Sequence, residues 1–282
     1  ARDEMRKDAG TNTDVDRTPQ ITWMLFLKCF DDFEKKFEVL DKNYAQIIPK
    51  GYRWKDWAVE DEKKVLTGTD LIKFVNDDLF PKLGNLVGSK GLEKRDIVAI
   101  IFSQITNSIR SGYILRKILN KISQVSFIST DEVHTLADYY EQMLEEMRNA
   151  AGENGEFYTP RPVIKFIVNT INPDLSKSPK ILDPACGTGG FMIESIQHMS
   201  SKVKSNKDRT KLFEKTVFGI EKKSMPFLLG MMNLLLHGVD QPNIANANTL
   251  GRPFRDITDE SQYDVIVTNP PFGGAEESEL KT

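Results

Sequence analysis

The sequence is poor in cysteine and histidine. Only two cysteines, Cys29 and Cys186, and three histidines occur among its 282 residues. Two cysteines cannot build a disulfide framework, and together with three histidines they make a poor set of zinc ligands. We therefore expect neither structural disulfides nor a metal site, in a protein that folds in a reducing compartment.

Long hydrophobic runs and a surplus of one charge are also missing. No apolar run approaches the roughly 20 residues that a membrane-spanning helix needs, and the first ten residues lack the apolar core of a secretory signal. Lys and Arg number 38 against 41 Asp and Glu, for a net charge of −3. We expect a soluble, cytoplasmic protein without membrane contact. The charge balance does not indicate a nucleic-acid binder, but a local basic patch would suffice for binding.

The first 150 residues have a helical pattern. An apolar stripe at three- and four-residue spacing begins after Thr22, and Ser129 with Glu132 fits a capping box at the start of a last helix. Three further helices are predicted, at 69–80, 93–107 and 112–122. We therefore predict an all-helical N-terminal domain over residues 1–150.

Beyond residue 150, short strands alternate with helices. The glycine-containing stretch AGENGEF marks the domain boundary. Apolar strands are predicted at 180–183, 217–221, 243–247 and 263–269. Helices are predicted between them, at 160–171, 189–200 and 224–237, and the lysine-rich segment 200–215 is predicted to be a basic surface loop. Strands separated by helices indicate a parallel, doubly wound α/β sheet over residues 151–282.

A glycine-rich turn follows the first of these strands. Asp183-Pro-Ala-Cys-Gly-Thr-Gly-Gly-Phe191 joins a buried strand to a helix, the arrangement that forms a nucleotide-type crevice in α/β sheets. Met192 replaces the third glycine of a dinucleotide fingerprint, and Asp183 suits an ammonium group better than a pyrophosphate. Glu221 ends the second strand, where a carboxylate accepts hydrogen bonds from ribose hydroxyls. A glycine turn that serves packing alone remains possible at this point.

The segment Thr268-Asn-Pro-Pro-Phe-Gly-Gly274 comes directly after residues Asp264–Val267 of the last predicted strand. It brings a polar side chain, two prolines and an aromatic ring to the carboxyl end of a strand, where open α/β sheets bind ligands. The prolines stiffen the backbone and remove two N–H donors. Packing alone is a poor explanation for this combination, so a ligand-binding corner is predicted.

These motifs resemble those of a known family. The glycine turn together with Asn269-Pro-Pro-Phe272 resembles the paired motifs of S-adenosylmethionine-dependent DNA adenine-N6 methyltransferases. Gly155-Glu-Phe-Tyr-Thr-Pro-Arg-Pro162, behind a helical region, is similar to the modification subunit of type I restriction–modification systems. The resemblance is specific over residues 155–274. It implies an N-terminal helical domain followed by the first half of a Rossmann-like methyltransferase sheet.

The resemblance also implies a role for each site residue. The implied cofactor-binding residues are Tyr158, Thr159, Pro160, Asp183, Gly187, Thr188, Gly189, Gly190, Glu221 and Asn248, and the implied catalytic residues are Asn269, Pro270, Pro271 and Phe272. The Asn269 side-chain oxygen and the Pro270 carbonyl would accept the two N–H groups of the adenine amine, which localises its lone pair, so positioning and electrostatics carry the rate. Phe272 would stack on a base flipped out of the duplex. Thr159 is predicted as the N-cap of the helix at 160–171, with Pro160 as its first residue.

Partners and chain length follow from the same resemblance. It implies double-stranded DNA as substrate, a specificity subunit, a restriction subunit in the larger complex, and two modification subunits for each specificity subunit. Members of the family continue well beyond the Asn-Pro-Pro-Phe motif. We therefore expect these 282 residues to belong to a longer protein and to be inactive alone.

Three alternatives stay open at this stage. A protein glutamine-N5 methyltransferase also uses an Asn-Pro-Pro motif, although Tyr usually stands there in place of Phe272. A non-catalytic module could dock DNA or partners through its helical half. A nicotinamide-dependent dehydrogenase is disfavoured by Met192 and by residues 269–272.

Overall fold

The computed structural model describes residues 1–40, 42, 44–60, 65–86, 94–127, 130–150, 159–239, 242–251 and 258–271. Ser129, Tyr158 and Phe272 lie outside these ranges. By their contacts the residues form two compact units, Ala1–Ala150 and Ala151–Thr282. Within the described part of the chain, no helix combines the length and the apolar character needed to cross a membrane.

The N-terminal unit is built from helices, as its periodicity predicts. These are α1 (Arg2–Met5), α2 (Asp14–Leu40), α3 (Trp54–Trp57), α4 (Gly68–Lys73), α5 (Phe80–Gly84), α6 (Lys94–Gln104), α7 (Gly112–Ser123) and α8 (Thr130–Ala150), with a π-helical stretch Phe74–Leu79 between α4 and α5. The aromatic stripe of α2 forms the centre of the core. Trp23 meets Phe80 edge-on at 5.1 Å between ring centroids, and Phe26 lies 6.3 Å from Phe102.

The C-terminal unit contains the predicted parallel sheet. Its strands are β1 (Ile181–Asp183), β2 (Val217–Glu221), β3 (Ile244–Asn246) and β4 (Val265–Ile266), in the order β3-β2-β1-β4. All three pairings are parallel, and Ile181 is in register with Val217 on one side and with Val265 on the other. The helices are α9 (Arg161–Ile171), α10 (Gly190–Ser200), α11 (Asn206–Lys215) and α12 (Ser224–Leu236). The α/β fold class is therefore confirmed.

The strand order creates a reversal point beside β1. The chain runs outward from β1 through β2 to β3 and then returns to β4 on the opposite side of β1. Open α/β sheets bind their ligands at the carboxyl ends of the strands where the order reverses in this way. The segments that follow β1 and β4 meet at this point.

The prediction of a loop over residues 200–215 was wrong, because most of this segment is helix α11. Ser205 caps the helix by accepting a hydrogen bond from Asp208 N at 3.1 Å, and the Asp208 carboxylate accepts from the Ser205 hydroxyl at 2.9 Å. Leu212 is the one buried side chain of α11. A single buried position leaves almost no apolar periodicity, so the cap was the only signal of the helix.

Candidate functional site

The ends of the four strands bring the predicted site residues to one edge of the sheet. Asp183 ends β1, Glu221 ends β2, and Asn248 and Asn269 follow β3 and β4. Because the strands are parallel, their carboxyl ends share that edge. One pocket there is lined by Thr159, Ile164, Asp183, Ala185, Cys186, Gly187, Thr188, Gly190, Phe191 and Asn269. Residues from both sequence motifs, far apart in the chain, therefore line the same cavity.

The glycine turn has a tightly tied backbone. Gly187 and Gly189 adopt φ values of +53° and +80°, a region that favours glycine because a side chain would clash with the backbone. Cys186 N donates to the carbonyl of Ile220 at 3.0 Å, and Gly189 N donates to the carbonyl of Cys186 at 2.8 Å. Gly189 then serves as the N-cap of α10. The turn thus carries the chain from β1 into α10 while its backbone borders the pocket.

Asp183 is a buried carboxylate at the base of this turn. Its side chain is 2% exposed, and its Oδ1 accepts a hydrogen bond from Ala185 N at 3.2 Å. Burial raises the pKa of Asp183 to about 6; the Thr268 hydroxyl and the Ala185 N–H oppose this shift, and the charge of Glu221 adds to it. The Thr268 hydroxyl oxygen is itself buried beside the carboxylate. The carboxylate is thus held in the pocket wall with less stabilisation of its charge than water would give.

Glu221 contacts the glycine turn rather than lining the pocket. One carboxylate oxygen accepts from Gly187 N at 2.9 Å, and the other accepts from Lys223 N at 2.8 Å. Each oxygen keeps a lone pair for a further donor. Glu221 therefore fixes the turn across the β1–β2 junction, and its implied role with a ribose stays a prediction.

Asn248 lies in the segment after β3. Its Oδ1 accepts from Leu250 N at 3.1 Å, and the neighbouring Thr249 hydroxyl donates to the carbonyl of Pro184 at 2.5 Å. This segment is thereby attached to the start of the glycine turn. Asn248 does not line the pocket described above, and its implied contact with the cofactor's adenine stays a prediction.

The corner after β4 brings Asn269 to the pocket that Asp183 also lines. Val267 N donates to the carbonyl of Leu182 at 3.0 Å, which extends the pairing with β1 past the end of β4. Asn269 is half-buried, whereas Pro270 and Pro271 are exposed. Of the four implied catalytic residues, the structure places Asn269 at the cavity, Pro270 and Pro271 do not line it, and Phe272 lies outside the described residues.

The start of α9 differs by one residue from the predicted cap. Pro160 is the N-cap and the helix begins at Arg161. Pro160 has φ −56° and ψ 136°, an extended conformation, and its carbonyl accepts from Val163 N at 2.9 Å and Ile164 N at 3.1 Å. The extended ψ of Pro160 moves the first helical bond from Thr159 to Pro160, so the prediction of Thr159 as N-cap was wrong. Thr159 lies just ahead of the helix and lines the pocket.

Several pocket residues were missed from the sequence. Ile164, Ala185, Cys186 and Phe191 line the cavity without having been assigned a site role. The thiol of Cys186 is buried, which raises the pKa of Cys186 well above its ordinary value. Ile164 could have been suspected from its place on the first turn of α9, close to Thr159 in the sequence. The sequence does not show, however, that α9 packs against α10 and so brings this turn to the glycine motif.

Two known protein families match this chain, and together they extend over both of its units. The family described as "N-6 DNA Methylase" matches residues 131–282, and the "HsdM N-terminal domain" matches residues 1–122. The methylase subunit of the type I restriction enzyme EcoEI from Escherichia coli is 43% identical over 99% of this chain and 56% of its own length.

Solved structures show the same similarity. A modification subunit from Vibrio vulnificus YJ016 superposes with a TM-score of 0.80 at 45% identity, over 99% of this chain and 60% of that one. A chain of a solved type I R-M system superposes with a TM-score of 0.85 at 35% identity, over 99% of this chain and 55% of that one. The chain thus spans little more than half the length of these relatives. It belongs to the N-6 DNA methylase family, and its two domains together are those of type I restriction-enzyme methylase subunits.

Proposed function

We propose that this chain carries the catalytic site of a modification subunit that transfers a methyl group from S-adenosylmethionine to the N6 amine of adenine in DNA. The observation that carries the proposal is the shared pocket of Asp183 and Asn269. Asp183 ends β1 and Asn269 follows β4, and these two strands are neighbours at the reversal point of the sheet. An acidic group and an amide at one place can bind two different molecules side by side.

The residues of the pocket fit the proposed cofactor. Asp183 offers a buried carboxylate that an ammonium group would stabilise in its charged form. Thr159 supplies a hydroxyl beside the start of α9, and the turn at 187–190 supplies backbone at the start of α10, where N–H groups favour a ligand carboxylate. Tyr158, Pro160, Glu221 and Asn248 complete the proposed binding set. Bound S-adenosylmethionine supplies an electrophilic methyl group on a sulfonium sulfur.

The chain's own contribution to the chemistry is the corner at residues 269–272. The amine of adenine is a poor nucleophile because its lone pair is delocalised into the ring. The Asn269 oxygen and the Pro270 carbonyl accept its two N–H groups, which favours a pyramidal nitrogen with a localised lone pair. The two prolines keep these acceptors in place. Preorganised acceptors of this kind act through position and electrostatics, without a strong base. We assign Phe272 to stacking on the flipped base.

The proposal extends to partners. We infer that the subunit acts in the cytoplasm on double-stranded DNA, with a specificity subunit and, in the larger complex, a restriction subunit, at two modification subunits for each specificity subunit. The relatives named above are methylase or modification subunits of type I enzymes, which supports this assembly. We assign recognition of the DNA sequence to the specificity subunit.

The proposal is tested by following labelled methyl groups. The complete subunit, purified with its specificity subunit, is incubated with methyl-labelled S-adenosylmethionine and either DNA or a protein with exposed glutamine side chains. We expect label in DNA, recovered as N6-methyladenine after digestion. Label only in protein would support glutamine methylation instead, and no transfer with intact DNA binding would support a non-catalytic docking role.

A further inference from the structure

Helix α12 contacts the back of the glycine turn through two residues one helical turn apart. The Asn233 amide Nδ2 donates to the carbonyl of Thr188 at 2.9 Å. A β-carbon added at Gly230 would lie 2.8 Å from the carbonyl oxygen of Gly187 and 3.4 Å from the carbonyl carbon of Thr188. Residues three apart share one face of a helix. The same face of α12 therefore touches two consecutive peptide groups of the turn.

Asn233 is an unusual residue for its surroundings. It is 1% exposed and lies in a run of buried side chains, from Phe227 to Leu236, in which every other member is apolar or glycine. Its Oδ1 is buried and finds no hydrogen-bond partner among the residues that the structure describes. An unsatisfied buried amide oxygen costs stability, and a leucine, which has the same branched shape without polar atoms, would avoid that cost. Stability of the helix alone therefore does not account for an asparagine here.

The lack of a side chain at Gly230 is also explained by the contact between α12 and the turn. A glycine inside a helix is less favourable than alanine, so the exchange to alanine normally stabilises a helix. Here the added methyl group would meet backbone atoms of the turn, which can give way only if the turn itself moves. Gly230 lets the helix approach the turn closely, and Asn233 holds the turn at that distance.

We propose that Gly230 and Asn233 are positioning residues that set the conformation of the turn at Gly187 and Thr188 for binding of the methyl donor. This inference rests on the proposed function, because the turn is assigned there to the cofactor. Neither residue lines the pocket, so both act through the turn and not by touching the ligand. Loss of either contact loosens the turn on the side away from the pocket and weakens donor binding.

The experiment uses the complete subunit with its specificity subunit and three variants. Asn233→Leu removes the donated hydrogen bond while keeping the branched shape of the side chain, Gly230→Ala pushes on the turn, and Asn243→Ala is the matched control. Asn243 also donates its amide to backbone carbonyls, of Phe213 at 3.0 Å and Val217 at 3.3 Å, but these lie at the opposite end of β2 from the turn. Two quantities are measured: the Kd for S-adenosylmethionine by calorimetry, and hydrogen exchange of the amides at residues 186–190.

We expect Asn233→Leu and Gly230→Ala to raise the Kd for the donor about tenfold, a change of about 1.4 kcal/mol, and to speed exchange of the turn amides. Asn233→Leu keeps a melting temperature near that of the wild type, and its KM for DNA is unchanged. Asn243→Ala leaves both the Kd and the turn exchange at wild-type values. A purely structural role for Asn233 would instead change melting temperature and Kd together.

Two results overturn the inference. One is wild-type affinity and wild-type turn exchange in both α12 variants, and the other is an equal loss of affinity in Asn243→Ala. Failure of the proposed function has a different signature, because the wild-type subunit would then bind no S-adenosylmethionine. In that case turn exchange still separates the α12 variants from the control and decides whether α12 holds the turn.

Discussion

Asp183 contributes a buried carboxylate to the wall of the pocket. Its pKa is raised because burial disfavours the charged form. A group whose pKa is higher in the folded than in the unfolded state favours folding at low pH, and this contribution is lost as the pH rises from about 4 to about 6. At neutral pH the ionised Asp183 therefore opposes folding, and only a bound cation would compensate it.

Replacing Asp183 with asparagine should stabilise the unliganded protein. We expect Asp183→Asn to raise the free energy of unfolding at pH 7.5 by up to about 3 kcal/mol, because raising the pKa of a carboxyl from its ordinary value to about 6 corresponds to that energy. The Ala185 N–H keeps an oxygen acceptor in this variant. Urea unfolding at pH 7.5 and at pH 4 measures the effect, and the gain should vanish at the lower pH. A destabilised variant at pH 7.5 would contradict this electrostatic account.

The same carboxylate predicts how donor binding depends on pH. Since an ammonium group interacts with the ionised form, the affinity for S-adenosylmethionine should fall by up to tenfold for each pH unit below about 6. Calorimetric titrations between pH 5 and pH 8 measure it. Asp183→Asn serves as the control, with weak binding that no longer changes over this range. An affinity of the wild type that stays constant down to pH 5 would separate Asp183 from the donor.

At the scale of elements, helix α7 is attached to the chain around α3 through one buried side chain. The Arg116 guanidinium donates to the carbonyls of Ala58 at 2.8 Å, Leu66 at 2.9 Å and Trp57 at 3.1 Å. Burial lowers the pKa of Arg116, with the charge of Glu60 opposing. Arginine can satisfy several carbonyls at once because its donors are held in a planar fork.

We expect Arg116→Met to destabilise the N-terminal unit by roughly 3 kcal/mol, because three carbonyls lose a charged donor while the side chain's volume is kept. Denaturant unfolding followed by circular dichroism measures the loss. The exposed neighbour Lys117 provides the control, and Lys117→Met should stay within about 0.5 kcal/mol of the wild type. Equal effects of the two substitutions would mean that the carbonyl contacts contribute nothing.

Elements with strong periodicity or an apolar core were predictable from the sequence. The strand after Lys180, its glycine turn and the apolar helix α12 follow from residue pattern alone, and the sheet type follows from their alternation. α11 was missed because Leu212 is its one buried position. The cap of α9 was misassigned because Pro160 keeps an extended conformation that no local pattern specifies.

The local motifs of the site were predictable from the sequence, whereas the contacts between segments far apart in the chain were not. The motifs of Asp183 and Asn269 could each be recognised locally, but their meeting depends on the return of β4 to the side of β1. The contact of Asn233 with Thr188 depends on which face of α12 packs against the turn. Because α12 is apolar on nearly all sides, its sequence does not indicate that face. Glu221 was recognised as an acidic strand end, whereas its two backbone partners became visible only in the fold.

Strand β4 forms one edge of the sheet that the described residues build. Ile266 on this strand is 61% exposed. An exposed apolar edge strand tends to pair with other chains. In the complete subunit we expect further chain to cover this edge, as the greater length of the relatives allows.

Ile266→Lys should therefore have opposite effects in two preparations. In the 282-residue chain the added charge should reduce aggregation, measured by light scattering during concentration. In the complete subunit it should lower the free energy of unfolding by about 2 kcal/mol, because it buries a charge in place of an apolar side chain. Reduced aggregation together with unchanged stability of the complete subunit would mean that this edge stays uncovered.

We propose that Asn269 activates the adenine amine while Asp183 and the glycine turn hold the methyl donor. The most direct test measures both functions in Asn269→Ala, made in the complete subunit with its specificity subunit. We predict that methyl transfer to DNA falls about a hundred- to a thousandfold, on the scale of losing a preorganised polar contact to the reacting group, while the Kd for S-adenosylmethionine stays within about twofold. Transfer at the wild-type rate would contradict the account.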